Sequence, residues 1–313
     1  MAYLIGTDEA GYGPNLGPLT VCGTRFQIDS GENRCLYETL TDSVSRKADP
    51  KKIQIADSKS VHKSGSIENL ETNVLALLLA LNSRIPETWQ DLLSMIAADH
   101  DLKTVADSFK QNKSLPIKSD SQRIQKLADL FSAECAANGV QLQSIRAAVV
   151  MPANFNQQVD RLGNKAELLS AQTLNIVKSL ATDCDNNIFI CCDKHGGRSK
   201  YAGMINQYLT NKIVRIDRES LQLSRYHWTE KETEIELSFQ AKGESFLPTA
   251  LSSMVAKYVR EVAMEIWNEF WQVHVPGIKP TKGYPVDARR FFAEIEGARR
   301  KLDVADDQIW RKR

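Results

Sequence analysis

The sequence predicts an α/β fold that carries a helical insertion and ends in a C-terminal helical region. Strand-like apolar runs recur at 3–5, 19–26, 145–150, 188–193 and 234–240. Helix-periodic stretches follow the later runs, the strongest of them over 249–273. Between 65 and 143 the pattern changes to leucine- and alanine-rich amphipathic segments. The 313 residues suffice for one large domain or two smaller ones. The expected organisation is an α/β domain from 1–64 and 144–313, with 65–143 as a helical insertion.

The opening segment runs Ile5-Gly6-Thr7-Asp8-Glu9-Ala10-Gly11-Tyr12-Gly13-Pro14-Asn15-Leu16-Gly17-Pro18. It predicts a hairpin whose first strand ends in an acidic pair, followed by a glycine- and proline-rich loop. Successive strand side chains point to opposite faces, so Asp8 and Glu9 share a site only where the strand ends or distorts. A solvated acidic turn has the same composition.

Further along, 29–33 is turn chemistry, and the short apolar run at 53–56 ends in Asp57-Ser58-Lys59, which reads equally as a helix N-cap or a surface turn. Within the insertion, helices are expected over 70–82 and 88–98. After a polar stretch at 111–120 comes another helix, through Ile124, Leu127 and Phe131, that Gly139 terminates. These segments carry no chemical motif, and their apolar stripes predict packing surface. A strand at 145–150 and a helix at 165–181 lead to the apolar run 188–193, the pattern of a strand buried on both faces. That run ends in Asp193-Lys194-His195-Gly196-Gly197. A carboxylate leaving a buried strand before glycines suits a metal or phosphate site, and equally a helix N-cap before Tyr201. Strands are expected over 212–216 and 234–240. The 249–273 helix presents Leu251, Met254, Val255, Tyr258, Val262, Ile266 and Phe270 on one face, and Pro276-Gly277 closes it. A helix over 287–302 follows, and Arg311-Lys312-Arg313 reads as a solvated terminus.

Hydrophobic content of 42% and charged content of 25% are those of a globular protein. The net charge of +1 supplies no global basic field, so any nucleic-acid surface must be local. No run approaches the roughly 18 apolar residues of a membrane helix, and the start lacks a signal-peptide pattern. The six cysteines have no CxxC spacing. They predict reduced, partly buried thiols in a cytoplasmic protein, with neither zinc nor disulfides, and the lack of a long apolar run predicts no membrane partner.

Taken in order, five elements resemble the type 2 ribonuclease H family, the ribonuclease HII-like enzymes. They are Gly6-Thr7-Asp8-Glu9-Ala10-Gly11-Tyr12-Gly13-Pro14 with Gly17-Pro18; Asp57-Ser58-Lys59; Asp193 with Gly196 and Lys200-Tyr201; Lys242-Gly243-Glu244-Ser245 with Leu251-Ser252-Ser253, Ala256-Lys257 and Arg260-Glu261; and Gly283-Tyr284-Pro285 with Asp287. The resemblance implies a ribonuclease H-like mixed β-sheet flanked by helices. It also implies a metal-dependent endoribonuclease that hydrolyses the RNA strand of RNA/DNA hybrids with two divalent ions, Mg²⁺ or Mn²⁺. On this resemblance Asp8, Glu9, Asp193 and Glu244 are the catalytic metal ligands, with Asp8 shared, and they should meet within metal-bridging distance. Lone carboxylates that close would repel and be partly protonated without metal. Lys59 would contact a phosphate, Gly11, Tyr12 and Gly13 would read the 2′-OH, and Tyr284 would stack on a sugar. Tyr12 stands where the family has Arg, Glu244 where it has Asp, and Ser252-Ser253 where it has alanines. Glu261 could partly substitute for Glu244. Other expectations are a non-catalytic relative that binds hybrid or structured nucleic acid, and an assembly protein whose 65–143 insertion docks a protein partner.

Overall fold

Strands β1 (Ala2–Ala10) and β2 (Leu19–Ile28) form the expected hairpin, antiparallel from Ala2↔Ile28 to Ala10↔Thr20. The computed structural model describes residues 1–29, 34–62, 66–98 and 112–312. Residues 30–33 of the expected turn, Gly65 at the start of the insertion, Gln111 of the polar stretch and Arg313 lie outside them. After the hairpin come α1 (Leu36–Thr39), β3 (Val44–Ser45), β4 (Ile53–Gln54) and α2 (Ser58–Val61). The 65–143 segment contributes α3 (Glu68–Asn82), α4 (Trp89–Ile96) and α5 (Ser121–Ala137). Then follow β5 (Val140–Val150), α6 (Pro152–Leu162), α7 (Lys165–Ala181), β6 (Ile188–Asp193) and α8 (Ala202–Tyr208). The chain closes with β7 (Arg215–Glu219), β8 (Leu223–Glu230), β9 (Thr233–Gln240), α9 (Leu247–His274), α10 (Pro285–Glu294) and α11 (Glu296–Lys301).

Seven strands make one mixed sheet in the order β5-β2-β1-β6-β9-β8-β7, flanked by helices. β1, β6 and β9 run parallel to one another, and β2, β5, β7 and β8 join by antiparallel pairing. The period-two alternation of β1 divides the core. Tyr3 and Ile5 pack with Leu168, Leu174 and Val177 of α7 on one face, while Leu4 packs with Leu251, Met254 and Val255 of α9 on the other. Gly6 also faces α9. A Cβ there would lie 2.1 Å from the Thr249 backbone nitrogen, so only glycine lets the helix seat this closely. Ser252 exploits the approach by donating its hydroxyl to the Gly6 carbonyl at 2.8 Å. This accounts for a polar residue where tight packing suggests alanine.

Several elements differ from the sequence-based expectation. β8 and α6 were not expected, although the buried Ser224, Tyr226 and Trp228 alternate through β8. Pro152 at the first turn and left-handed Gly163 after the last bracket α6. β5 starts at Val140, and the expected 287–302 helix divides at Ile295 into α10 and α11. None of the described helices is long and apolar enough to cross a membrane.

The 65–143 segment shares the core beneath α9: Leu70, Val74 and Leu77 of α3 and Phe131 of α5 belong to the same cluster as Leu251 and Tyr258. A buried carboxylate ties it there. Glu71 accepts the backbone N–H groups of Ile117, Lys118 and Ser119 at 2.8, 2.8 and 2.9 Å, and the Tyr258 hydroxyl at 3.0 Å. Glu71→Ala leaves the buried Tyr258 hydroxyl and three less buried N–H groups without their acceptor, and an unmet buried polar group costs about 1–3 kcal/mol. Urea unfolding is expected to show a loss of about 2–3 kcal/mol.

Candidate active site

The register of the parallel strands builds the site. β1 pairs with β6 from Tyr3↔Ile188 to Thr7↔Cys192, so the next rung places Asp8 beside Asp193. The Cys191 thiol meets Thr249 of α9, whose hydroxyl also donates to the Cys191 carbonyl at 2.7 Å, and alternation puts Asp193 on that same face. Leu4, Gly6 and Asp8 share the face on β1. The two aspartates therefore emerge side by side on adjacent strands, nominally about 4.8 Å apart. β1 stays regular through Ala10, contrary to the expectation that the strand must end or distort at the acidic pair. What ends is its β6 neighbour, and beyond that ladder Glu9 shares the space of Asp8 and Asp193.

Electrostatics records the convergence. Burial, then the charges of Glu9 and Asp193, push Asp8 well above the usual carboxylate range; hydrogen bonds from Ser253 and the Glu9 N–H (2.7 Å) only partly oppose this. Burial and the Asp193 charge raise Glu9 to about 7, against the pull of Lys59. Asp193 is raised by burial and by Glu244, against the Gly243 N–H that it accepts at 3.1 Å. Glu244 follows β9 in the 3₁₀ turn Gly243–Ser245, entered through left-handed Lys242. Four carboxylates thus gather at the carboxyl ends of β1, β6 and β9. Oxygen donors of high charge density suit a hard divalent cation. Among the described residues, no group of three or more Asp, Glu, His or Cys side chains is placed to hold a metal ion.

The other expected residues arrange around this acidic end. Asp57 caps α2, accepting the Lys59 N–H at 3.0 Å, and Lys59 lies within electrostatic reach of Glu9 and Asp193. Tyr12 is half-buried against Lys165, whose ammonium lies 4.7 Å from the ring centre, and within reach of the Glu9 charge. Gly13 is exposed at the tip of the loop. Tyr284 is 54% exposed, and the residue before it docks on the same loop, the Gly283 carbonyl accepting from Asn15 N–H at 2.7 Å. Glu261 is held elsewhere: buried on α9, it pairs with Lys257 at 2.7 Å and with Lys282. Burial works against its charge, but the two ammoniums prevail and hold its pKa at about 2. Asp193 caps no helix, since Tyr201 precedes α8 without a side-chain cap. His195 lies between Ser170 Oγ at 2.9 Å and Thr173 Oγ1 at 3.1 Å, and burial takes it down to about 3, so it stays neutral.

Sequence reasoning missed that Arg260 and Arg311 lie buried beneath the Gly11–Pro18 loop. Gly11 has φ +87°, and a Cβ there would meet Arg260 Nε at 2.4 Å and the Pro18 carbonyl at 2.5 Å. Arg260, 2% exposed, donates Nη2 to the Lys282 carbonyl at 3.0 Å and the Leu16 carbonyl at 3.5 Å. Arg311, 1% exposed, donates Nη2 to the Gly11 carbonyl at 2.6 Å and to Pro14, and Nε to the Pro14 carbonyl at 3.1 Å. Its guanidinium lies 4.6 Å from the Phe155 ring centre. Burial, then the like charge of Arg260, lowers Arg311 to about 9, so it remains charged at neutral pH. The expectation of a solvated basic terminus is therefore corrected at Arg311. Basic residues at a chain end ordinarily stay in water, and only the loop carbonyls it meets make burial favourable.

Fold and site define an α/β protein with a strand-end carboxylate cluster under a glycine-rich loop. The sequence matches no family model and no curated protein. Among solved structures, the chain is similar to that of the PCNA:RNase HII complex from Archaeoglobus fulgidus, with 14% identity, a TM-score of 0.46 and coverage of 99% of this chain and 94% of that one. It is also similar to ribonuclease H2 from Pyrococcus horikoshii, with 14% identity, a TM-score of 0.49 and coverage of 98% and 92%. For RNase H3 from Aquifex aeolicus the values are 13%, 0.43, 96% and 72%.

Proposed function

We propose that this chain is a metal-dependent nuclease of the ribonuclease H type, cutting the RNA strand of RNA/DNA hybrids. The observation that carries the reading is the register that sets Asp8 beside Asp193, with Glu9 and Glu244 completing an acidic end under the Gly11–Pro18 loop. The raised pKa values of Asp8, Glu9 and Asp193, each with burial and a neighbouring carboxylate among its causes, fit a site that gains by taking up positive charge. Asp8, Glu9, Asp193 and Glu244 would hold Mg²⁺ or Mn²⁺. Bound there, two such ions supply an activated water, a stabilised leaving oxygen and neutralised phosphate charge. The chain itself positions the substrate. Lys59 offers a point charge to the phosphate, the backbone at Gly11, Tyr12 and Gly13 faces the ribose 2′-OH, and exposed Tyr284 offers a ring to the neighbouring sugar. A non-catalytic hybrid-binding role is the second reading, favoured by the absence of a closed three-donor cluster among the described residues.

Cleavage of matched hybrids carrying one ribonucleotide or several, with Mg²⁺ or Mn²⁺, tests the proposal. Glu244→Gln is expected to reduce cleavage by more than about 10-fold, recoverable in part at higher metal concentration. Glu261→Gln is expected to act on stability instead. Its depressed pKa contributes stability that is present above about 4.5 and lost as pH falls toward 2, so the variant should lose on the order of 3 kcal/mol at pH 7 and almost nothing at pH 2. Hybrid binding without cleavage under either metal would favour the second reading.

A further inference from the structure

Helix α2 separates the acidic end from a second concavity. Ser58 contacts Ser253, the donor to Asp8, at 3.2 Å, and Lys59 reaches Glu9 and Asp193, whereas Ser60 and Val61 line a cleft of about 570 Å³. Arg46 and Lys47, just after β3, form another wall. Ser66 and Glu68, at the entry to α3, and Arg123, in the first turn of α5, complete it. The lining therefore carries three cations and one carboxylate, on a chain whose net charge is only +1. Arg46 is held in place: its guanidinium lies 4.0 Å from the Tyr37 ring centre and donates Nη2 to the Ser245 carbonyl at 2.9 Å. Ser245 is the neighbour of Glu244, so one arginine connects the cleft wall to the turn that carries the fourth carboxylate. A guanidinium has five N–H donors, and a single carbonyl does not exhaust them.

We infer that this cleft binds a backbone phosphate of the nucleic-acid substrate, away from the bond that is cut. The inference rests on the nuclease reading of the carboxylate site and extends it to a second subsite. The spacing suits such a role. One helix diameter is ~10 Å, or about three base steps at ~3.4 Å each, so a strand crossing α2 from the acidic end reaches the cleft within a few nucleotides. The chemistry suits it also, since the cleft offers cations and hydroxyls to an anion while the carboxylates across α2 repel one. Ser66 and Arg123 come from the 65–143 segment, which thereby has a role in holding substrate.

The test measures binding of an RNA/DNA hybrid by fluorescence anisotropy in EDTA across a salt series, beside a cleavage assay of the same proteins. Lys47 and Arg123 are exposed, so K47A/R123A should fold. Its affinity is expected to fall about 10-fold at ~0.1 M salt, and the slope of log K against log salt to shrink by about 1–2, as for the loss of one or two phosphate contacts. E68K, which removes the one carboxylate of the lining, should tighten binding and steepen the slope. Unchanged affinity and slope in K47A/R123A, with E68K also without effect, overturns the inference. A wild-type protein that binds hybrid with these variant effects but never cuts it overturns the nuclease reading and upholds the cleft. A wild-type protein that binds no hybrid overturns both.

Discussion

Asp8→Asn is expected to abolish Mg²⁺- or Mn²⁺-dependent hybrid cleavage, by more than about 100-fold, while making the metal-free protein more stable at neutral pH. Both effects have one cause. Asp8 is nearly buried beside Glu9 and Asp193, and each carboxyl is raised by its neighbours as well as by burial. Glu9 titrates near 7 in the folded chain against 4.5 in its reference state, so between those values the folded chain holds more protons than the unfolded one. Stability must then fall as pH rises from about 4.5 through about 7, by on the order of 3 kcal/mol from Glu9. Asp8→Asn removes a second carboxyl whose own ionisation is opposed by burial and by the Glu9 and Asp193 charges. Thermal melts in EDTA should therefore show wild type losing stability between pH 5 and 8, Asp8→Asn losing less, and the two converging near pH 4. Added metal should raise the melting temperature of wild type more than that of the variant. Undiminished cleavage by Asp8→Asn would sink the functional reading, and a flat wild-type pH profile would sink the electrostatic one.

Removing Arg311 is expected to weaken catalysis from a position outside the carboxylate cluster. Its donors hold the Gly11 and Pro14 carbonyls on either side of Tyr12 and Gly13. Without it those acceptors lose charge-assisted partners, and the loop proposed to meet the substrate loses its floor. Arg311→Ala should cost about 2–3 kcal/mol of stability, moderated by relief of the Arg260 repulsion. It should also raise KM for the hybrid several-fold, because a loosened loop must be ordered when substrate binds. Arg311→Lys keeps the charge but cannot bridge both carbonyls with a planar fork, so it should recover stability better than KM. Matched losses in the two variants, in stability alone, would reduce Arg311 to a packing residue.

The element types were largely legible because local chemistry wrote them. Period-two alternation marked β9, helical spacing marked α9, and the apolar run closing on Asp193 marked β6 as central. β7 was placed too early because every residue of it is at least partly exposed and supplies little apolar signal. The acidic pair was legible as residues but not as geometry. A strand alternates its faces, and the reason that Asp8 and Glu9 share a space lies in where a strand 185 residues away stops pairing. Glu261 shows the converse: on the motif it could stand in for Glu244, yet Lys257 and Lys282 already claim it.

The sequence by itself determined an α/β chain, its strand-end carboxylates and the glycine-rich loop beside them, since alternation, helical period and turn chemistry act over a few residues. Only the tertiary structure decided that Asp8 and Asp193 are neighbours, that Arg311 is buried under the loop, and that Glu71 fastens the 65–143 segment to α9. Those outcomes depend on strand register and on which distant polar groups can satisfy one another once water is excluded, and neither is encoded in local spacing.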